Sequence, residues 1–190
     1  RTAILGTGFR ERRGVTVFPR PSRGPLLAYG PDALAGPVTG LRLLAEGAED
    51  RGAPVPRLRH SVLAFSCLGH GFLSDEARDL FWRVFRVPVF GQILSPGCNV
   101  LAWECEAHEG YHFARDRVCF ENGFRDSERE LLATSLIDLR RPALRLATGL
   151  SGDIEERPCG CGEPGPRLVN LRRRAALKRE AQLGTACAAD

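Results

Sequence analysis

The residues best suited to chemistry are three cysteines and a histidine in two short segments. Cys159 and Cys161 are separated by a single glycine in a Pro-Cys-Gly-Cys-Gly segment, and Cys105 lies upstream in a segment that also contains His108 and His112. Thiolate and imidazole are the ligands that zinc prefers, and a structural zinc takes four of them in a tetrahedron. The residue types therefore predict a zinc site with three cysteine ligands and one histidine ligand.

Two histidines compete for the fourth ligand position. The sequence from Trp103 to the second histidine predicts a β-hairpin with Gly110 in its bend. His108 would lie in the turn, three residues after Cys105, and His112 would return beside that cysteine on the second strand. The spacing favours His112 and leaves His108 as the alternative. Because four protein ligands leave no position for water, we expect a structural zinc and not a catalytic one.

The helices and strands that position these segments can be predicted from the pattern of apolar residues. The clearest predicted helix has Ser74 as its N-cap and an apolar stripe that ends at Phe85. A second helix is predicted to be capped by Asp32, to restart after Pro37 and to end before Gly52. Strands are predicted at Thr2–Leu5, Val15–Phe18, Leu58–Phe65, Val87–Phe90, Val100–Cys105, Gly110–Phe113, Arg117–Glu121, Leu131–Leu136 and Leu144–Ala147. We therefore expect an α/β fold with a mixed β-sheet, flanking helices and a β-rich, zinc-bearing C-terminal half.

The composition limits the classes of protein. The chain has 190 residues, of which 43% are hydrophobic and 26% are charged, and this suits one soluble globular domain with or without a tail. No apolar run approaches the ~18 residues that a membrane span needs. The formal net charge is +4, and of the 27 basic residues only Lys178 is a lysine. A charge this small gives no reason to expect a nucleic-acid partner.

The cysteine count and the opening residues bear on the compartment. Seven cysteines cannot all pair within the chain, and the sequence opens at Arg1 without the charged-then-apolar pattern of a signal peptide. We therefore predict a cytoplasmic protein whose cysteines are thiols or metal ligands and not a disulfide framework.

Two further motifs are weaker candidates. Cys67 and His70 have the residue types of a nucleophile and its base, but no feature of the sequence orients them, and a thiol after an apolar strand is more often part of a core. Arg172–Arg174 could meet RNA or an acidic partner, but we interpret them as the start of a solvated polar helix over Arg172–Gln182.

Five parts of the sequence, in the same order, resemble the phenylacetate–coenzyme A ligase and coenzyme F390 synthetase branch of the adenylate-forming enzymes. They are Leu73–Arg78, Phe85–Phe90, Leu101–Cys105 with Gly110–His112, Pro142–Gly149, and Pro158–Gly162 with Pro166–Leu168. The resemblance implies that residues 26–174 are the second half of the large domain of that family. Residues 1–25 would then be an N-terminal arm or strand pair, and residues 175–190 a C-terminal helix or tail.

The resemblance also implies a ligand set. Members of this branch carry a zinc held by a cysteine and a histidine of such a hairpin and by both cysteines of a Pro-Cys-x-Cys-Gly segment. Carried onto the matching positions, the ligands are Cys105, His112, Cys159 and Cys161. The residue types and the resemblance thus predict the same kind of metal site.

The catalytic pattern of the family is not matched. The family activates a carboxylic acid with ATP and transfers the acyl group to a thiol, using a Ser/Thr/Gly-rich phosphate loop, a Tyr-Gly-x-Ser/Thr-Glu segment, a Thr-Gly-Asp segment and a lysine of a small C-terminal domain. This sequence has Ile93–Gly97 in place of the second segment and Leu150 in place of the aspartate, and neither the loop nor the lysine has a counterpart. Asp153 is a weak candidate for a shifted ribose ligand. We therefore expect neither bound ATP nor catalytic residues.

Together these observations predict a non-enzymatic, zinc-stabilised remnant of an acyl/aryl-CoA ligase fold that acts as a binding or assembly subunit. An apolar sheet face left exposed in such a remnant is the reason to expect a protein partner or a homodimer. The alternative is an ATP-dependent acyl/aryl-CoA ligase completed by another chain or by a longer polypeptide. A third hypothesis, nucleic-acid or metal-responsive regulation, depends on the arginine-rich end of the sequence.

Overall fold

The computed structural model describes residues 1–68, 71–125, 128–137 and 144–174, which divide into two units. The first unit comprises Arg1–Ser66 and Gly71–Gly91, and the second comprises the other described residues. The elements of the first unit are β1 (Thr2–Leu5), β2 (Val15–Phe18), α1 (Arg23–Tyr29), β3 (Ala33–Pro37), α2 (Val38–Arg51), β4 (Val62–Cys67, whose last residue belongs to the second unit) and α3 (Asp75–Phe85). Strand β5 (Val89–Leu94) contributes three residues to each unit.

Parallel strands form the sheet of the first unit. Their order is β2-β1-β3-β4, and each of these neighbouring pairs is parallel. Helices α2 and α3 lie against each other and are linked by Arg83, whose Nε donates to Glu49 Oε1 at 2.8 Å. Apolar side chains such as Leu34, Leu41 and Phe81 are fully buried in one core. The unit is therefore held together mainly by apolar burial between its helices and its sheet.

Helix α3 confirms its predicted start. The Ser74 side chain accepts a hydrogen bond from the Ala77 backbone N–H at 3.2 Å, and Asp75 and Glu76 lie in the first turn. The capped N–H and the two acidic side chains both suit the positive end of the helix dipole. The helix ends after Phe85, as its apolar stripe predicts.

The predicted role of Asp32 as a helix cap is wrong. The residues that follow it form strand β3, and helix α2 begins only at Val38, without a side-chain cap. The reason is tertiary packing, because a β-carbon on Gly36 would lie 2.7 Å from Leu5 Cβ, so the small residues of β3 fit tightly against β1. Helix α2 does end before Gly52, which has a left-handed φ of 60°. The structure also contains helix α1, which the sequence patterns did not predict.

Antiparallel strands form the second unit. They are β6 (Val100–Glu104), β7 (Tyr111–Phe113), β8 (Val118–Arg125), β9 (Glu128–Ser135), β10 (Leu146–Ala147), β11 (Leu150–Glu155) and β12 (Arg167–Arg173). One sheet has the order β5-β6-β7-β12-β11, and a three-stranded sheet has the order β10-β9-β8. The rings of Phe113 and Phe120 pack edge to face with their centroids 5.0 Å apart. Buried side chains such as Leu101, Leu131 and Leu168 extend this core.

Strand β12 corrects the predicted C-terminal helix at its start. The strand runs to Arg173 and pairs with both β7 and β11, so Arg172 and Arg173 are not helical. The rest of that prediction, including the expected helix or tail over residues 175–190, lies outside the described residues. The boundaries predicted at residues 25/26 and 174/175 stay predictions.

The fold class is confirmed as α/β with parallel and antiparallel strand pairs and few helices. Strands predominate in the second unit, which carries the predicted ligand residues. Within the described part of the chain, no helix has both the length and the apolar character needed to cross a membrane.

Candidate metal centre

The β6–β7 hairpin positions one half of the cluster. Its strands pair with Trp103 opposite His112, and Cys105 follows the last residue of β6. The turn closes with a hydrogen bond from the His108 backbone N–H to the Cys105 carbonyl at 3.1 Å. Gly110 has a φ of 127°, and a β-carbon there would lie 2.5 Å from the carbonyl oxygen of Leu168 on β12. Only glycine therefore suits this bend.

A tight turn before β12 positions the other half. The Gly162 backbone N–H donates to the Cys159 carbonyl at 3.0 Å, which closes the turn around Cys161. Strands β11 and β12 pair antiparallel on either side of this turn. Because β12 also pairs with β7, the turn lies at the same end of the sheet as the hairpin bend.

The four predicted ligands come together in the structure. Cys105 Sγ and Cys159 Sγ lie 3.6 Å apart, Cys161 Sγ and His112 Nε2 lie 3.5 Å apart, and all four ligand atoms lie within 4.8 Å of one another. A tetrahedral zinc with Zn–S distances of about 2.3 Å sets its sulfur ligands about 3.8 Å apart. Cys105, His112 and Cys159 are buried and Cys161 is half-buried. The cluster could therefore hold a metal ion.

The histidine of the cluster is His112. Among the described residues His108 is not part of it, because His108 is exposed and has its Nδ1 4.0 Å from Glu104 Oε2. The His112 ring is 2% exposed and stacks on Trp103 with a centroid distance of 6.3 Å. Its Nδ1 has no hydrogen-bond partner within the described residues, so packing and the cluster itself fix the ring.

Each sulfur of the cluster accepts a backbone N–H from the residue two positions later. The donors are Ala107 to Cys105, Cys161 to Cys159, and Glu163 to Cys161, the last at 3.4 Å. At Cys105 and Cys159 this N–H group favours thiolate over thiol, and thiolate is the form that binds zinc. The donor set thus fits a soft divalent metal such as zinc better than a hard one such as magnesium.

Without a metal, the pKa values of the Cys105 and Cys159 thiols are shifted in opposite directions. Burial raises the pKa of the Cys105 thiol to about 11. The Cys161 backbone N–H is the main cause that lowers the pKa of Cys159, and the charge of Arg167 acts in the same direction. A metal that binds here must therefore displace the proton of Cys105.

An arginine and a glutamate lie beside the cluster. Arg167 is 3% exposed, and its Nη1 donates to Glu109 Oε2 at 3.0 Å. The same carboxylate oxygen accepts the Gly160 backbone N–H at 3.0 Å. The Gly160 N–H first and Arg167 second lower the pKa of Glu109, so the carboxylate is charged. The sequence patterns missed both residues, since exposed arginines and glutamates are common, and the only available signal was their position next to ligand segments.

The segment that resembles Thr-Gly-Asp has a leucine, Leu150, in place of the aspartate. Leu150 is 6% exposed, and the Thr148 hydroxyl donates to the Leu131 carbonyl at 2.7 Å. The neighbouring Glu130 accepts from the Gly149 backbone N–H and from Arg174 Nη1, both at 2.9 Å. The Glu130 carboxylate beside this segment is thus buried and paired with a partly buried arginine.

The weaker candidates receive no support. Asp153 lies at the surface, where its Oδ2 accepts from Asn170 Nδ2 at 3.2 Å and its Oδ1 lies 3.3 Å from Arg129 Nη2. Cys67 ends strand β4, and His70 lies outside the described residues, so that pair stays a prediction. Ile93 and Leu94 are buried in strand β5, ahead of the turn that contains Gly97.

Comparisons with known proteins show the fold. No family model and no curated protein matches the sequence. The fold is similar to that of 2-hydroxyisobutyryl-CoA ligase in an open conformation with 2-HIB-AMP and CoA, with a TM-score of 0.61 and 17% identity over 91% of this chain and 45% of that one. The same ligase in the postadenylation state with R3-HIB-AMP gives a TM-score of 0.62 and 16% identity, over 91% and 43% of the two chains.

These likenesses confirm an adenylate-forming ligase fold and no more. The chain spans less than half the length of the ligase chains that it matches. The assignment to the phenylacetate–coenzyme A ligase branch stays a prediction.

Proposed function

We propose that this chain is a non-catalytic member of the acid–thiol ligase fold whose second unit is stabilised by a structural zinc and which serves as a binding or assembly subunit. The observation that carries the proposal is the Cys105, His112, Cys159 and Cys161 cluster, because it offers four protein ligands within 4.8 Å of one another. Four such ligands fill the tetrahedron of zinc and leave no position for a substrate or a water.

The zinc would supply a cross-link and no reaction step. Cys105 and His112 belong to the β6–β7 hairpin, and Cys159 and Cys161 belong to the turn between β11 and β12. The ligands thus connect two segments that are distant in the sequence, and binding free energy at such a site is folding free energy. The predicted site is therefore a stabilising one.

The absence of catalysis is supported by what stands where the resemblance implies nucleotide-binding groups. Leu150 is buried at the position of the ribose-binding aspartate, and Glu130 beside it is paired with Arg174. A carboxylate that holds ribose hydroxyls orients the nucleotide for reaction, so this chain alone lacks an important positioning group.

Exposed apolar side chains support a protein partner or a second copy. Phe124 and Leu144 are more than three-quarters exposed in the second unit, and Leu43 and Trp82 are at least half exposed on helices α2 and α3. Covering them with a partner would remove apolar area from water, which favours association. Sedimentation velocity over a wide concentration range tests the proposal. An oligomer supports self-association, whereas a monomer at all concentrations, with no partner recovered by cross-linking in cells, would contradict an assembly role.

The non-catalytic role of the metal is tested by measuring stability and activity on the same protein. We expect a zinc chelator to lower the melting temperature by about 5–15 °C and zinc to restore it. ATP–pyrophosphate exchange with a panel of aryl and short-chain acids should stay at background, with and without zinc. A chelator that changes activity but not stability would point to a catalytic metal and contradict the proposal.

The alternative function is an acyl/aryl-CoA ligase completed by another chain or by a longer polypeptide. The likeness to 2-hydroxyisobutyryl-CoA ligase favours it, since that protein was solved in complex with 2-HIB-AMP and CoA. Exchange activity that appears when a partner is added, and that depends on the acid supplied, would replace the non-catalytic proposal with this one.

A further inference from the structure

Arg167 is a buried cation that touches both ligand segments of the metal cluster. On the hairpin side, its Nη1 donates to the carbonyl oxygen of Glu109 at 3.2 Å and to Glu109 Oε2 at 3.0 Å. On the other side, its Nη2 donates to Glu155 Oε2 at 2.9 Å and to the carbonyl oxygens of Arg157 and Pro158, both at 3.4 Å. One guanidinium thus joins the turn after Cys105 to the segment before Cys159.

The backbone of Arg167 is also tied to a ligand residue. Arg167 lies opposite His112 in the pairing of β12 with β7. Glu109 completes the arrangement, because the carboxylate oxygen that accepts from Arg167 also accepts the backbone N–H of Gly160, between the two cysteines of the turn. Arg167 and Glu109 together therefore contact the hairpin turn, strand β7 and the Cys-Gly-Cys turn, which carry the four ligands.

We propose that Arg167, acting with Glu109, is a positioning residue that sets the metal affinity of the Cys105, His112, Cys159 and Cys161 cluster. It holds the two ligand segments at the separation that one metal ion requires, and does not itself touch the metal. This inference rests on the proposed function. A planar guanidinium with five donors can reach both segments at once, whereas the compact ammonium of a lysine cannot.

The alternative to positioning is ordinary packing. The Glu109 and Glu155 carboxylates keep some exposure to water, so each can be solvated if Arg167 is lost. A packing role would lower the stability of the metal-free and metal-bound protein equally. A positioning role would instead change how tightly, and in what geometry, the metal is held.

The test measures the zinc dissociation constant of the full chain by competition with a chromophoric chelator. Because outer groups that orient metal ligands typically change affinity 10- to 100-fold, we expect Arg167→Met to weaken zinc binding by about that factor. Arg167→Lys should give an intermediate loss. The d–d absorption of the cobalt-substituted protein should also lose tetrahedral intensity in Arg167→Met.

A matched control is available outside this network. Arg115 has a 67% exposed side chain that pairs with the exposed Glu156, so Arg115→Met removes an arginine without changing any contact of Arg167. We expect its zinc affinity to stay within about twofold of the parent protein.

Glutamate variants keep the proposal testable if Arg167→Met does not fold. Glu109→Gln weakens the link while keeping the size of the side chain, and the exposed Glu156, paired with Arg115, is its control as Glu156→Gln. We expect Glu109→Gln to weaken zinc binding at least about threefold and Glu156→Gln to have no effect.

The outcomes separate this inference from the proposed function. A parent protein that binds no metal overturns both. A parent that binds zinc, together with a folded Arg167→Met or Glu109→Gln variant of unchanged zinc affinity and cobalt spectrum, overturns the positioning role alone.

Discussion

Cys105 Sγ lies 3.6 Å from Cys159 Sγ, although 54 positions separate the two residues in the sequence. The contact exists because β12 pairs with β7, which brings the turn before β12 to the bend of the β6–β7 hairpin. The pairing of strands in the sheet thus assembles the site from two segments that are distant in the sequence.

The choice between the two histidines gives the first prediction. His112→Ala should abolish retention of zinc through gel filtration, because its imidazole is buried in the cluster. His108→Ala should retain it, because that side chain is exposed and outside the cluster. Metal content of the two purified variants checks this, and loss of zinc from His108→Ala alone would show that the wrong histidine has been assigned.

The close approach of Gly110 to strand β12 gives the second prediction. A β-carbon there would lie 2.5 Å from the Leu168 carbonyl oxygen, so we expect Gly110→Ala to cost about 2–4 kcal/mol of unfolding free energy from strain and crowding. Gly165 also has a positive φ, 112°, but no atom within 4 Å of an added β-carbon, so Gly165→Ala should cost only about 1–2 kcal/mol. Urea unfolding of both variants checks the order, and equal costs would mean that the contact with β12 is not formed.

Helix capping in the first unit gives the third. Ser74→Ala should cost about 1 kcal/mol, because the hydroxyl accepts the Ala77 N–H. Ser22 stands at the start of α1 and makes no side-chain cap, so Ser22→Ala should stay within about 0.5 kcal/mol of the parent. Thermal unfolding distinguishes them, and the reverse order would contradict the cap.

The link between helices α2 and α3 gives a pH dependence. The hydrogen bond from Arg83 lowers the pKa of Glu49, so the charged carboxylate stabilises the fold above its unfolded pKa and this contribution is lost as pH falls through its folded pKa. Glu49→Gln should therefore lower the urea midpoint at neutral pH but not in acid, once the carboxylate is protonated in both the folded and the unfolded chain. In an Arg83→Met background the substitution should have little effect at either pH, and a gap that persists in acid would refute this origin.

Local signals in the sequence predicted the parts that depend on local structure. The Ser74 cap, the β6–β7 hairpin and the Cys-Gly-Cys turn each need only a few neighbouring residues, and the structure contains all three. The spacing between Cys105 and the histidines favoured His112 as the fourth ligand and left His108 as the alternative. Geometry then grouped His112 with the cysteines, because it lies opposite Trp103 on the return strand.

Non-local packing explains what the sequence patterns missed. Strand β3 is small and buried and follows an aspartate that resembles a helix cap, so local propensity pointed to a helix. Strand β12 contains Asn170 with a positive φ of 55°, and β11 shifts register between Ser151 and Asp153, so neither strand shows a clean alternation. The buried position of Arg167 depends on the pairing of β12 with β7 and β11 and could not be predicted from its residue type.

The most direct measurement is elemental analysis of the purified chain and of two cysteine variants. We predict about one zinc per chain, lost in Cys159→Ser together with about 5–15 °C of melting temperature. Cys119→Ser, which changes an exposed cysteine outside the cluster, should keep both. A parent protein that carries no metal after expression with zinc, and that melts at the same temperature as Cys159→Ser, would contradict the account.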